Sequence, residues 1–274
     1  MKTLVNGSEQ ETVPLADRGL QYGDGLFETI AVCAGKPLLW DPHMQRLSDA
    51  CRRLFIPMPD RDLLRSEVAQ LTHNEQRAVA KIIVTRGVSR HGYRPDSSEP
   101  PTRVVLCRPW PNHPAGARTL GVSVRWCRMR VSRQPRLAGM KHLNRLEQVL
   151  ARSEWQDEYA EGLMCDDQGR IIEGTATNLF LVHEGTLITP DLSESGVAGV
   201  MRAQILRHAQ AMGMNWAVQP VTRPQVEAAE ELFLTNSLIG IWPVTQLETR
   251  RYVVGKTTQT LQAALQAANC LAPE

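Results

Sequence analysis

Aliphatic and β-branched runs, each about the length of one buried strand, recur along most of this chain. "AVAKIIVTRG" starts at position 78, "TRVVLCRPW" at 102, "IIEGTATNLFLV" at 171 and "EELFLTNSLIGIWPV" at 230. Such side chains fit a pleated, buried surface, and "LFETIAVC" and "TLITP" add shorter strands. Helical patterns fall between them. "DPHMQRLSDACRRLFI" reads as a helix with Asp41 at the N-cap and Pro42 at the first helical position. A second helix is expected over about Asp60 to Thr72, another from "GVAGVMR" to Gly213, and a last one near Thr258 to Ala268. The opening "TLVNGSEQETVPL" reads as a hairpin turning at Asn6-Gly7. Strands mixed with helices throughout predict an α+β (α/β) chain. "PWPNHPAGAR" is the richest Pro/Gly segment between structured regions. It predicts a linker at 111–120 between a smaller N-terminal α+β domain, 1–110, and a larger C-terminal domain, 121–274.

Composition narrows the function classes. A net charge of +2 over 274 residues is too small for a nucleic-acid footprint. "RWCRMRVSRQPR", Arg125 to Arg136, reads as a strand with one charged face. The six cysteines include no C-x-x-C pair, so no structural metal is expected. Their scatter fits a reducing compartment. Neither a bilayer-length apolar stretch nor a signal-type apolar core is present, and the protein is expected to be cytoplasmic.

The candidates for chemistry are few. In "LAGMKHLNRLEQVL", Lys141 precedes Leu143, Leu146, Val149 and Leu150 at helical spacing. It is expected near a helix start, where the dipole disfavours its charge. It is then either a solvated surface amine or a nucleophile and base. Glu173 sits among small and apolar residues on an expected strand, either at a solvent edge or buried against a cation. Gly174, Thr175 and Ala176 leave room beside it for a flat group. Gly199 would leave the Val200 and Met201 amides as free first-turn donors. The "TNS" turn ending at Ser237 could add others. Arg46 could hold an anion bidentately, with Arg52 and Arg53 as competitors. An amine, a carboxylate and an anion cradle are what pyridoxal 5'-phosphate requires.

Taken in order, "DRGLQYGDGLFET", "HMQRL", "TRG", "KHLNRLEQVL", "EGTATNLFLV", "GVAGVMR" and "TNSLIGIWPV" resemble the fold-type IV pyridoxal-phosphate enzymes, over about Asp17 to Val244. These are two-domain proteins of the D-amino-acid aminotransferase-like fold. The resemblance implies that Lys141 joins the cofactor as a Schiff base, that Glu173 meets the pyridine nitrogen and that Arg46 meets the phosphate. Val200, Met201 and Ser237 would complete the phosphate cup. "KHLNRLEQVL" is most similar to the 4-amino-4-deoxychorismate lyases of this family. Branched-chain aminotransferases carry G-N-Y after the lysine, where this chain has Leu143, Asn144 and Arg145. The lyase resemblance implies 4-amino-4-deoxychorismate as substrate, with Thr29 facing it and Arg145, Arg94 and Tyr93 near its carboxylates. It also implies elimination of pyruvate to leave 4-aminobenzoate, a step of folate biosynthesis, by a homodimer. A fold-type IV aminotransferase, branched-chain or D-amino-acid, is the rival reading, and a non-catalytic binding protein is a remoter one.

Overall fold

The computed structural model describes residues 2–89, 92–95 and 99–272. The chain divides into two units. The first comprises Met1–Pro111, Met140–Asn144 and Ala272–Glu274, and the second Asn112–Gly139 and Arg145–Leu271.

In the first unit, β1 (Lys2–Val5) and β2 (Ser8–Glu9) form the expected hairpin, with Asn6 and Gly7 at φ 51° and 87°. There follow α1 (Arg18–Tyr22), β3 (Gly25–Cys33), β4 (Lys36–Pro37), α2 (Trp40–Leu54), α3 (Arg61–Thr72), β5 (Arg77–Thr85) and β6 (Thr102–Pro109). The strands form an antiparallel sheet in the order β2-β1-β6-β5-β3-β4. The helix α2 begins at Trp40, ahead of the expected cap, because Leu39 turns the chain in the left-handed region; Asp41 lies in the first turn. Its buried stripe of Trp40, His43, Met44, Leu47 and Cys51 includes a histidine, and the helix packs on β3. Asp60 caps α3 by accepting from the Asp62 and Leu63 amides.

The second unit contains α4 (Ala117–Leu120), β7 (Val122–Trp126), α5 (Leu146–Arg152), β8 (Glu161–Cys165), β9 (Arg170–Gly174), β10 (Asn178–His183), β11 (Thr186–Pro190) and α6 (Val200–Ala211). It continues with β12 (Trp216–Gln219), β13 (Val221–Thr222), α7 (Arg223–Ala228), β14 (Glu231–Asn236), β15 (Gly240–Leu247), β16 (Arg250–Arg251) and α8 (Lys256–Ala267). Its ten-stranded mixed sheet runs β12-β11-β10-β14-β15-β7-β8-β9-β13, with β16 paired to β15. Val124, Leu179, Leu181, Leu232, Leu234 and Val244 form the centre of its core. Phe180 and Phe233, on adjacent strands, stack at 5.0 Å. The expected linker span contributes residues 112–120 to this unit, with α4 inside it.

Two local expectations are corrected. The strand read over Arg125 to Arg136 ends at Trp126. Beyond it the Arg128 and Met129 amides donate to Glu154 rather than to a ladder, at 2.8 and 2.7 Å. The helix read as starting near Lys141 starts at Leu146. Residues 141–143 instead lie along β3: the Phe27 amide donates to the Lys141 carbonyl at 2.9 Å and the Leu143 amide to the Gly25 carbonyl at 3.0 Å. Those backbone groups are used by a strand pairing, so no helix can form through them.

Candidate active site

Two glycine turns and an arginine cluster fix the start of β3. Asp17 caps α1 through the Gly19 amide at 2.8 Å and accepts from Thr85 Oγ1 at 2.8 Å. Arg18, buried, and Arg86 both bind the Asp24 carboxylate, at 2.8 and 2.7 Å. Burial opposes that charge, but the Arg86 and Arg18 hydrogen bonds prevail and lower the Asp24 pKa. "DRG", "GDG" and "TRG" are thus one structural device that sets where β3 begins.

From there β3 presents two faces. Glu28 points towards α2, where its carboxylate meets His43 and Arg46. Phe27 and Thr29 occupy the other face, and Thr29 is registered opposite Lys81 of β5. The Phe27 ring carries two ammonium groups, Lys141 Nζ at 4.4 Å and Lys81 Nζ at 4.9 Å from its centroid. Lys141 therefore does not stand at a helix start, and a ring face lies against its ammonium. Burial, and then Arg108, lowers the Lys81 pKa. Lys81 was not among the residues singled out in the sequence. The available signal was a lone lysine in the otherwise apolar strand "AVAKIIVT".

Tyr93 and Arg94 lie exposed on the loop after β5. Arg18 donates to the Gly92 and Tyr93 carbonyls at 2.5 and 3.3 Å, and Tyr22 packs against Tyr93 with centroids 5.5 Å apart. Residues 90, 91 and 96–98 of this segment lie outside the described residues.

The second unit holds the other candidates. Glu173, near the end of β9, is buried, which removes the solvent-edge reading. Its Oε2 accepts from the Val197 amide at 2.8 Å and the Asn178 amide group at 3.5 Å. Gly196 has φ +80°, and a Cβ there would stand 3.3 Å from the Glu173 carboxyl carbon. Arg145 is the N-cap residue of α5, not a residue one turn along a helix from Lys141. Burial lowers its pKa, and Glu173 and Glu147 oppose the change. Gly199 caps α6, and Val200 and Met201 are its first residues, as read from the sequence. Ser237 lies in a turn whose Leu238 and Ile239 amides are held by Asn236 Oδ1, both at 2.9 Å. Asn236 Nδ2 also donates to the Ala176 carbonyl at 3.0 Å.

A buried carboxylate that sequence reasoning passed over organises this region. Glu161 Oε1 accepts from the Gly162 amide (2.9 Å), the Thr175 amide (3.0 Å) and Thr175 Oγ1 (2.5 Å). Its Oε2 accepts from the Ala176 amide (3.0 Å) and Thr177 Oγ1 (3.1 Å). The turn between Glu173 and Asn178 is wrapped around this one side chain. Within the second unit, Asn178 donates to both Glu173 and the Val197 carbonyl, and the Ser237 turn is tied through Asn236 to Ala176, whose amide Glu161 holds.

The amino-transferase class IV family matches residues 25–247. An aminodeoxychorismate lyase from Vibrio harveyi is 37% identical over 266 residues, covering 95% of this chain and 98% of its own. The crystal structure of 4-amino-4-deoxychorismate lyase from Pseudomonas aeruginosa superimposes with a TM-score of 0.93 at 47% identity, covering 97% of this chain and 98% of that one. A putative branched-chain-amino-acid aminotransferase from Methanocaldococcus jannaschii is 32% identical over 280 residues, covering 96% and 94%. The chain belongs to the class IV amino-transferase family, the fold-type IV enzymes that its motifs resemble.

Proposed function

We propose that this chain is a pyridoxal-phosphate-dependent lyase that converts 4-amino-4-deoxychorismate to 4-aminobenzoate and pyruvate, a step of folate biosynthesis. The observation that carries this reading is near-full-length likeness to two lyases, at 37% and 47% identity. The donor set fits the cofactor. A lysine, a buried carboxylate, an arginine and the first amides of a twelve-residue helix match an aldehyde, a pyridine nitrogen and a phosphate in turn.

When bound, the cofactor supplies an electron sink conjugated to the substrate's amino carbon. Glu173 would face the pyridine nitrogen and favour its protonated form. Lys141 Nζ takes the proton from the ring carbon that bears nitrogen, and the Phe27 ring face stabilises the ammonium that forms. The ring C–O bond then breaks. Thr29 Oγ1 or the Lys141 ammonium delivers a proton to the departing enolpyruvyl group, which leaves as pyruvate. The ring that remains is aromatic, so the step runs strongly downhill. No oxidant or acceptor is consumed. Arg145, Arg94, Tyr93 and Lys81 would be the candidates to meet the two substrate carboxylates.

An aminotransferase reading is favoured by the 32% identical relative named for that activity. The two differ in one requirement. The lyase releases pyruvate and 4-aminobenzoate in equal amounts with no 2-oxo acid present, and turnover that depends on an added 2-oxo acid would overturn the lyase reading. Lys141→Ala abolishes the activity and the visible absorbance of the lysine-linked cofactor; survival of either removes Lys141 from its role.

The enzyme is proposed to be a cytoplasmic homodimer. Six free thiols fit a reducing compartment. The α5 residues Leu146, Val149 and Leu150 are 76%, 56% and 55% exposed beside a groove of about 540 Å³, an apolar surface suited to a second copy. A monomer in sedimentation at micromolar concentration would refute the dimer.

A further inference from the structure

Glu28 has no part in the steps above, yet it is one of the most completely buried charges in the first unit, at 1% exposure. Both its oxygens are occupied by α2. Arg46 Nε donates to Oε1 at 2.8 Å and Arg46 Nη2 to Oε2 at 2.5 Å. His43 Nδ1 meets Oε2 at 2.6 Å. The two α2 residues stand three apart, on one face of the helix.

The protonation states follow from the surroundings. Burial alone would raise the Glu28 pKa, but the Arg46 charge and the His43 and Arg46 hydrogen bonds bring it down to about 2. Burial lowers the His43 pKa, against the pull of Glu28, which favours the neutral imidazole. The contact with Glu28 is therefore a hydrogen bond from Nδ1–H to a carboxylate. This fixes the tautomer and leaves Nε2 with the lone pair. Among the described residues, Nε2 has no hydrogen-bond partner.

A guanidinium gripped through two nitrogens loses its rotational freedom before any ligand arrives. Its plane is set by a strand, not by the flexible arginine stem. We propose that Glu28 and His43 are positioning residues that hold the Arg46 guanidinium in the orientation in which it receives the cofactor phosphate. This rests on the reading of Arg46 as the phosphate cation. Glu28 contributes the grip, and His43 keeps the carboxylate from rotating away.

The full-length protein is titrated with pyridoxal 5'-phosphate and separately with pyridoxal, which lacks the phosphate; binding is followed by absorbance. Glu28→Gln is expected to weaken pyridoxal 5'-phosphate by about tenfold, the scale of one hydrogen bond to a charged group, with pyridoxal unchanged. His43→Asn, whose amide can replace the Nδ1 donor, retains affinity, whereas His43→Leu loses it. In an Arg46→Met background, Glu28→Gln has no further effect. Equal weakening of both aldehydes, or a Glu28→Gln effect that persists without Arg46, overturns the proposal. Arg46→Met with undiminished phosphate selectivity overturns the underlying assignment of Arg46 instead. Should Glu28→Gln fail to fold, Glu28→Asp keeps the charge but shortens the reach, and the same phosphate-selective loss is required of it.

Discussion

Replacing Glu161 by glutamine tests how much one buried carboxylate contributes to the turn at 174–177. The exchange preserves shape and removes the charge. Five donors converge on Glu161 in the structure, and among the described residues no cation pairs with it. With the glutamine oxygen at the Oε1 position, three donors keep a neutral acceptor and each bond weakens by roughly 0.5–1 kcal/mol. The amide NH₂ then faces the part-buried Ala176 N–H, which loses its acceptor at about 1–3 kcal/mol. Thr177 Oγ1 can rotate and accept. The total is about 3–5 kcal/mol, a large part of the typical stability of a folded domain. It corresponds to roughly 10 °C in Tm for a chain of this size. Urea unfolding followed by circular dichroism reads it as a lower midpoint at unchanged slope. A loss below about 1 kcal/mol would refute the reasoning, because the five donors would then have found other partners without cost.

Acid unfolding should expose the Glu28 cluster. The folded Glu28 pKa, about 2, lies below its usual 4.5, so its contribution is complete above pH 4.5 and disappears as pH falls towards 2; the size is roughly 3 kcal/mol. His43, whose folded pKa is also depressed, loses stability in the same direction as pH falls below 6.5. A Glu28→Gln protein whose stability falls as steeply between pH 5 and 2 would contradict this. Gly196→Ala places a Cβ 2.8 Å from Ile172 Cγ2 at a φ of +80°. It should cost about 1–3 kcal/mol in urea unfolding, and an unchanged midpoint would contradict it. Lys81→Met should raise the KM for 4-amino-4-deoxychorismate about tenfold while the cofactor spectrum stays as it is. An unchanged KM would remove Lys81 from the substrate's surroundings.

Much of the architecture was legible residue by residue. The Asn6-Gly7 hairpin, the Asp60 cap and the strands around Ile82, Val104 and Leu232 follow from local conformational preference and patterning. Lys141 and Glu173 could be picked out because an ionisable group in small or apolar company needs an explanation. A similar signal stood at Glu28 and Lys81, each alone in an apolar strand, and at Glu161, where β8 begins, yet none of the three was singled out. What each would meet could not be read. The Glu28 partners lie 15 and 18 residues away, and most of the Glu161 donors 14 to 16.

The apolar spacing after Lys141 misled for a related reason. Periodicity reports that a stripe exists, not what covers it, and Leu146, Val149 and Leu150 remain exposed in the chain. Nor could it reveal that residues 141–143 join β3, since that pairing depends on backbone groups more than a hundred residues apart. Sequence alone settled most of the long strands and helices and the types of ionisable side chain present, because those depend on backbone preference and residue type. Tertiary structure alone decided which buried charge meets which donor. A carboxylate in the interior must fill its lone pairs, and only packing determines the groups within reach.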